Sequence, residues 1–173
     1  MSHTNSVLNF VVGRSGSGKS KLIHSKLVAA ASARDKSILI FDLGRTHYSA
    51  AMLFGGAVRA FDLKADFELN VTSNFLHLVD FQFDDTPITL VDQIADEQLP
   101  DVFIIDEGWY FNRYLQGVGQ FCQRVLDHGG EVCITLQSED DVMPFSDLVA
   151  MHREITRTSP IKHVAAPRFA SLQ

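Results

Sequence analysis

An apolar run that leads directly into a glycine-rich loop constrains the fold of this chain more than any other feature. Residues 7–12 are nearly all apolar, which is typical of a buried β-strand. Residues 21–30 have the composition of a helix. Between them lies the loop Gly13-Arg14-Ser15-Gly16-Ser17-Gly18-Lys19-Ser20. The sequence therefore predicts a strand, a tight loop and a helix in immediate succession.

The loop fits the pattern G-x-x-x-x-G-K-[ST] in full, and this pattern is that of a phosphate-binding loop. Its glycines let successive backbone N–H groups converge on a polyphosphate, which then lies at the positive end of the following helix. We expect Lys19 to reach the β- and γ-phosphates and the Ser20 hydroxyl to ligate Mg²⁺. All eight residues, Gly13 to Ser20, are predicted to contact the nucleotide.

Length and composition restrict the class of protein. A chain of 173 residues suits one domain, here residues 1–173, and a net charge of −6 argues against a surface that grips nucleic acid through its overall field. No apolar stretch is long enough to cross a bilayer, and the start of the chain lacks the features of a signal peptide, so we expect a cytoplasmic protein. Cys122 and Cys133 are expected to be buried free thiols.

Apolar runs and helical patterns alternate along the rest of the chain. Strands are predicted at residues 37–42, 57–63 (near a sheet edge), 101–107 and 131–137, while residues 75–81 are ambiguous between strand and helix. Helices are predicted at residues 46–54 (capped by Thr46 and stopped at Gly55-Gly56), 110–128 and 140–151, with a further helix that starts near Pro87. This alternation predicts an α/β fold with a mainly parallel central sheet flanked by helices.

Polar residues follow several of the predicted strands. Ligands of open α/β sheets bind beyond the carboxyl ends of the strands, so Asp106 and Glu107 are expected to face the loop. Asp106 is predicted to hold Mg²⁺ together with Ser20, and Glu107 to polarise the attacking water. The alternative is that both acids simply begin a helix. Gln137 is placed to contact the γ-phosphate or the water, unless it is merely a polar strand end.

Asp42 also ends a strand, and its two open roles are to position another site residue or to cap a helix. Phosphoryl transfer often uses an arginine from a neighbouring subunit. The candidates are Arg124, Arg153 and Arg157, and the alternative for Arg124 is an ordinary solvated position. The seven histidines, among them His24, His47 and His128, show no metal-binding spacing, so surface or capping roles are expected.

Three stretches beyond the loop resemble the FtsK/HerA superfamily of hexameric motor ATPases, and most closely the ATPase domain of conjugative type IV secretion ATPases. Residues 41–48, with Gly55-Gly56, are similar to an aspartate-glycine-serine/threonine motif before a double glycine. Residues 105–109 are similar to the Asp-Glu-Ala-Trp form of the Walker B motif, and residues 135–142 to a Thr-Gln-Ser sensor segment.

This resemblance implies a RecA-like P-loop NTPase fold, ATP and Mg²⁺ as cofactors, and a homo-oligomeric, hexameric ring. It implies that Lys19 and Ser20 bind phosphate and Mg²⁺, that Asp106 and Glu107 are the Walker B pair, and that Gln137 is the sensor. The family's basic pair is replaced by Asp127-His128, and Arg124 lies one helical turn earlier. We therefore predict that Arg124 is the catalytic arginine.

The leading hypothesis is a ring-forming ATPase that moves DNA or protein in conjugation or type IV secretion. The main alternative is a viral-type genome-packaging ATPase of the same superfamily. A small-molecule kinase and a slow nucleotide switch are further alternatives. Such a ring would dock to a membrane secretion complex or to a capsid. The stretch between Lys64 and Arg113 is acidic and lacks Lys and Arg, which indicates a solvated face or a docking surface for a basic partner or a neighbouring subunit.

Overall fold

The computed structural model describes residues 6–33, 36–43, 46–53, 57–61, 76–81, 88–89, 96, 99–145 and 147–148. The predicted turn at Gly44-Arg45, the helix stop at Gly55-Gly56 and the arginines Arg153 and Arg157 lie outside these residues. The prediction of a single domain over residues 1–173 stays a prediction.

Six strands form one parallel sheet. Its order across the sheet is β1-β8-β6-β2-β4-β3, and every neighbouring pair runs parallel. The strands are β1 (Val7–Val12), β2 (Ile38–Leu43), β3 (Ala57–Phe61), β4 (Leu76–Phe81), β6 (Val102–Ile105) and β8 (Glu131–Leu136). A second, two-stranded parallel sheet pairs β5 (Ile88–Thr89) with β7 (Leu115–Gln116).

Helices cover both faces of the main sheet. They are α1 (Lys19–Ala33), α2 (Tyr48–Leu53), α3 (Gly108–Tyr114) and α4 (Val118–Asp127), followed by a 3₁₀ helix at Glu139–Phe145. Ile23 and Leu27 of α1 pack on one face, while Phe111 of α3 and Phe121 of α4 pack on the other. The parallel connections between strands require helices on both faces, which is why this sheet is covered twice.

The central strands are apolar at nearly every position because both of their faces are buried. In β2, Leu39 faces the α3 and α4 side and Ile40 faces the α1 side, and both side chains are fully buried. Strands β6 and β8 alternate between the two faces in the same way. A continuous apolar run is the pattern expected of a strand buried on both faces, and it explains why these strands are readable from the sequence.

The structure confirms the predicted strands at residues 7–12, 37–42, 57–63, 101–107 and 131–137 to within a few residues, and it assigns the ambiguous residues 75–81 to β4. Strand β3 lies at the edge of the sheet, as predicted. The two cysteines are buried free thiols, as predicted, and burial raises the pKa of Cys133 to about 12 and that of Cys122 further.

The single helix predicted over residues 110–128 is wrong. Two helices, α3 and α4, stand in its place, and β7 separates them. Gly117 adopts a left-handed backbone with φ 81°, which breaks helical continuity just before α4. Helix α4 ends as predicted at Gly129-Gly130: the N–H groups of Gly129 and Gly130 donate to the carbonyls of Leu126 and Val125, the pair of bonds that defines a Schellman end.

Two other predicted helices also differ. Ile88 and Thr89 form β5 rather than the helix predicted to start near Pro87, and most of that helix lies outside the described residues. The helix predicted over residues 140–151 begins as the 3₁₀ helix, which contains Pro144. Across the described residues, none of the helices has the length and apolar character that a membrane span requires.

Candidate active site

The order of three neighbouring strands brings the predicted site residues together. Strand β8 lies between β1, which leads into the loop, and β6, which leads into the two acids. Val12 is level with Leu136, and Ile105 is level with Ile134. The Gly13 N–H continues this pairing by donating to the Leu136 carbonyl at 3.0 Å. Gln137, the next residue, therefore lies between the loop and the acids.

The loop owes its shape to its glycines. Gly16 and Gly18 have φ values of 77° and 94°, a left-handed backbone that side chains with a Cβ rarely adopt. Gly13 is restricted for a different reason, because a Cβ at this position would collide with the Ser17 side chain. The loop then passes directly into α1 at Lys19, so its backbone curls around the helix N-terminus.

Lys19 is almost buried, with 6% of its surface exposed. Its ammonium group donates to the Gly13 carbonyl at 2.6 Å and approaches the Arg14 carbonyl at 3.4 Å. Its Nζ lies 3.9 Å from Oε1 of Glu107. Lys19 thus lies between the loop and the acid that follows β6.

A cavity of about 420 Å³ opens above these residues. One wall is the loop from Arg14 to Ser20, and the other consists of Asp106 and Glu107, with Leu43 and Thr46 completing the lining. A cationic wall with backbone N–H groups thus faces a wall of carboxylates, as expected of a site that binds a polyphosphate together with a cation.

Asp106 is buried and hydrogen-bonded through both carboxylate oxygens. The Thr135 hydroxyl donates to Oδ1 at 2.6 Å, and Nε2 of His47 contacts Oδ2 at 2.9 Å. Burial alone would raise the pKa of Asp106, but the bonds from His47 and Thr135, helped by the nearby charge of Lys19, hold it below its usual value. Asp106 is therefore ionised at neutral pH.

Glu107 has a strained backbone and a tightly held side chain. Its φ of 63° makes it the one left-handed residue other than glycine among the described residues. Oε2 accepts from the Trp109 indole N–H at 2.8 Å and from the Gln137 amide at 3.1 Å. The Glu107 N–H donates to the Thr135 hydroxyl at 2.8 Å. Strain of this kind persists only where the surroundings fix it, and it is common at functional sites.

Gln137 is exposed, but its backbone is anchored. The carboxylate of Asp141, in the 3₁₀ helix, accepts from the N–H of Ser138 at 2.8 Å and from that of Gln137 at 3.2 Å. The Gln137 side chain thus extends from an anchored backbone to Glu107, and Gln137 is not among the residues that line the cavity.

His47 and Asp42 form a support behind Asp106. Asp42 accepts the backbone N–H of His47 at 2.8 Å, just before α2 begins at Tyr48. Asp42 therefore holds the residue that precedes this helix, and His47 in turn contacts Asp106, whereas the Thr46 hydroxyl, predicted as the cap, points to the Leu43 carbonyl at 3.5 Å. Burial raises the pKa of Asp42, and the bond from His47 offsets this only in part.

The surface or capping role predicted for His47 is wrong, because its side chain is fully buried. Within the described part of the chain, Asp42, His47 and Asp106 form a group of metal-ligand side chains whose donor atoms lie within 4.8 Å of one another. An ionised carboxylate only accepts hydrogen bonds, so His47 donates to Asp106. That bond accounts for their contact without a metal ion. The His24 ring packs edge-on against His47 with centroids 5.0 Å apart.

Arg124 lies away from the cavity of its own chain. It sits one turn before the end of α4, which leads to the start of β8 and therefore to the opposite edge of the sheet. Its guanidinium binds Oδ1 of Asp96 at 2.6 and 3.0 Å. A role for Arg124 in a neighbouring subunit stays a prediction.

Sequence reasoning missed Thr135, His47 and Trp109 as supports of the two acids. Thr135 is two residues before Gln137 and therefore lies on the same face of the strand. This shared face was the signal in the sequence that Thr135 would also lie near the two acids. Trp109 is two residues after Glu107 and within its reach. His47 carried no such signal, because its contact with Asp106 spans 59 residues of sequence.

The residues around the cavity fit a magnesium ion. Mg²⁺ prefers hard oxygen ligands, and Ser20 and Asp106, which both line the cavity, offer a hydroxyl and an ionised carboxylate. Because both Asp106 oxygens already accept hydrogen bonds, its orientation toward such an ion is fixed in advance.

Models of known protein families and curated proteins give no match to this chain. Solved structures do match. The genome packaging NTPase B204 from Sulfolobus turreted icosahedral virus 2, in complex with AMP, has a TM-score of 0.50 and 19% identity over 94% of this chain and 92% of that one. The complex of the same protein with sulfate has a TM-score of 0.51 and 18% identity over 94% and 89% of the two chains.

The DNA-packaging ATPase B204 from Sulfolobus turreted icosahedral virus has a TM-score of 0.52 and 22% identity over 82% of this chain and 71% of that one. At such identities the likeness concerns the fold. The predicted α/β P-loop NTPase fold is confirmed. None of these three structures is of a type IV secretion ATPase.

Proposed function

We propose that this chain binds Mg-ATP in the cavity above the loop and hydrolyses it. The observation that carries this proposal is the position of the Glu107 carboxylate, 3.9 Å from Lys19 and 3.1 Å from the Gln137 amide, at the wall of the cavity opposite the loop. A phosphate chain bound by the loop would end near Lys19, and the attacking water would then lie beside Glu107.

Each residue has a defined part in this reaction. Lys19 and the loop N–H groups would hold the phosphates, and Ser20 and Asp106 would hold Mg²⁺, which would supply positive charge to the phosphate oxygens. Glu107 accepts a proton from the water as its oxygen attacks the γ-phosphorus, and the bond to the ADP oxygen breaks. Gln137 contacts the γ-phosphate or the water. Preference for adenine follows from the resemblance to motor ATPases.

We further propose that hydrolysis moves DNA, in the manner of a viral genome-packaging ATPase, and that the active form is a homo-oligomeric ring. Support for this cargo comes from the three matching structures, whose proteins are named as packaging NTPases or ATPases. This alternative is therefore preferred over conjugation or type IV secretion. In such a ring, Arg124 of one subunit would complete the active site of the neighbouring subunit. The ring itself would dock to a capsid.

Glu107→Gln tests the hydrolytic role. The amide cannot accept the water proton, so we expect at least a 100-fold fall in kcat while ATP still binds. Glu139→Gln, which neutralises an exposed acid in the 3₁₀ helix, is the matched control and should hydrolyse ATP normally. Unimpaired turnover in Glu107→Gln would remove the assigned role.

The cargo and the ring are tested separately from the chemistry. ATPase rate and sedimentation are measured with and without single- and double-stranded DNA. DNA stimulation together with a ring-sized species supports the packaging motor. A monomer whose hydrolysis ignores DNA contradicts the motor, and transfer of the γ-phosphate to a metabolite instead of water identifies a kinase.

A further inference from the structure

We propose that Trp109 is a positioning residue for the proposed hydrolysis, and that its indole N–H aims the Glu107 carboxylate at the attacking water. The inference rests on the proposed function of Glu107. It assigns to the tryptophan a hydrogen-bonding task in the site, in addition to its packing.

The contact itself is short and local. The indole Nε1 donates to Oε2 of Glu107 at 2.8 Å across two residues. Hydrogen bonds to charged acceptors are stronger than those between neutral groups, and this distance is typical of them. One carboxylate oxygen is thus bound by the indole, and Oε1 is left on the side that faces Lys19 at 3.9 Å.

Trp109 is well suited to fix a direction because its ring is itself fixed. It is half-buried, packs against the apolar cluster that contains Phe111 and Ile134, and contacts the Tyr110 ring edge-on with centroids 5.3 Å apart. A side chain whose rotamer is set by packing holds its hydrogen-bond partner more accurately than a mobile one.

The other groups near Glu107 are less constant partners. Gln137 is exposed and has its own proposed contact with the γ-phosphate or the water, so its bond to Oε2 is exchangeable. Lys19 is expected to turn to the phosphates when a nucleotide binds. The indole has no such second partner in the proposed reaction, and it therefore keeps Oε2 occupied throughout.

The left-handed backbone of Glu107 is held separately from its side chain. With φ 63° the residue is in a conformation that residues with a Cβ rarely adopt, and it persists only if the surroundings fix it. The hydrogen bond from the Glu107 N–H to the Thr135 hydroxyl fixes the backbone of Glu107. The hydrogen bond from the Trp109 indole fixes its carboxylate. Without the indole, Oε2 would keep only the exchangeable bond from the Gln137 amide.

The kinetic test uses Trp109→Phe, which keeps an aromatic ring but removes the donor. Displacement of a reacting group by about 1 Å can cost 100-fold in rate, so we expect a fall in kcat of about 10- to 100-fold with KM for ATP changed less than threefold. The control is Phe111→Leu, which disturbs the same helix and core without removing a donor to Glu107. It should lower the melting temperature and keep kcat.

A finer substitution is available because Trp109 is the only tryptophan of the chain. Replacing it with an isostere in which sulfur takes the place of the ring N–H changes one hydrogen bond and little else. The same fall in kcat as in Trp109→Phe supports the positioning role. Normal kcat in the isostere, with a loss only in Trp109→Phe, shows that ring packing alone matters and overturns the inference.

A spectroscopic measurement separates this inference from the proposed function. The single indole gives one ¹H–¹⁵N signal, and its proton should lie downfield because it binds a carboxylate. We expect an upfield move of this proton in Glu107→Ala and none in Glu139→Gln. An unchanged signal in Glu107→Ala shows that the bond is absent and overturns the inference, even in an active enzyme. A protein with the expected shift but no ATP hydrolysis refutes the proposed function instead.

Discussion

The main sheet has one edge where its strands begin and another where its strands end, and both carry carboxylates and hydroxyls. The two edges differ in how far these groups complete their hydrogen bonds. At the edge where strands begin, Asp101 joins β2 to β6: its carboxylate accepts from the N–H and the hydroxyl of Ser37 at 2.7 and 2.8 Å. The Asp101 N–H donates back to the Ser37 hydroxyl at 3.0 Å. The Asp101 carbonyl accepts the Glu131 N–H of β8 at 2.8 Å, so three strands are tied together.

At the edge where strands end, several polar groups are strained or incompletely bonded. Glu107 and the loop glycines have left-handed backbones. The buried side-chain atoms without a partner in the described residues include Ser17 Oγ, Asp42 Oδ1 and His47 Nδ1. Both edges use carboxylates and hydroxyls. The difference is that Ser37 and Asp101 complete their hydrogen bonds with one another at the first edge, while at the second edge Ser17, which lines the cavity, keeps a buried hydroxyl oxygen without a partner among the described residues.

This contrast indicates where stability and activity reside. Completed bonds between strands contribute to the free energy of folding, whereas strained and open groups cost folding energy and are retained where a ligand or a reaction uses them. Variants at the edge where strands begin should therefore change the melting temperature, and variants at the edge where strands end should change ATP hydrolysis.

The largest effect is expected for Lys19→Ala at the edge that carries the cavity. Removing a charged donor aimed at the phosphates should lower ATP hydrolysis by about 100- to 1,000-fold. Its melting temperature should stay within a few degrees of the wild type, because the lysine contacts two loop carbonyls and Glu107 and does not tie the strands of the sheet together. Lys21→Ala, two residues along the same helix, is the control. A large loss of stability in Lys19→Ala alone would contradict the division between the edges.

A smaller effect of the opposite kind is expected for Asp101→Ala. The variant leaves the nearly buried Ser37 without its acceptor, which should cost about 1–3 kcal/mol of unfolding free energy. That corresponds to roughly 2–4 °C of melting temperature per kcal/mol for a chain of this size. Its kcat should be that of the wild type. Asp140→Ala, at an exposed acid, provides the comparison, and an equal shift in both variants would sink the idea.

The smallest effect is expected for Asp42→Asn, and it depends on pH. Because the pKa of Asp42 is raised in the folded state, the charged carboxylate destabilises the fold. The stabilisation contributed by the protonated carboxyl is complete below the pKa of the unfolded state, and it is lost as the pH rises through the pKa of the folded state. Asn is never charged and still accepts the His47 N–H. The variant should therefore be the more stable one at pH 7, and urea unfolding should show this gain shrinking toward pH 4.

The sequence was sufficient for features that local chemistry determines. The loop from Gly13 to Ser20, the buried strands and the acids Asp106 and Glu107 are recognisable because each is a short run with its own pattern. The end of α4 at Gly129-Gly130 is readable for the same reason. These features lie next to one another in the sequence and need no knowledge of the fold.

Features that depend on distant contacts were not readable. Nothing local places β8 between β1 and β6, although that order brings Gln137 to Glu107. The break between α3 and α4 coincides with the pairing of β7 to β5, about 27 residues earlier by the register of Ile88 with Leu115. The burial of His47 likewise depends on contacts with α1 and β6, which no periodicity of residues 46–54 reveals.

Gly108, which follows the two acids, restricts which side chains can pack at position 134. A methyl group at this position would collide with the Cγ2 atom of Ile134, so α3 lies closer to β8 than an alanine permits. Alanine at 108 would therefore force Ile134 or α3 to move. Gly108→Ala should therefore destabilise this chain less when Ile134 is replaced by an unbranched residue than when Ile134 is kept.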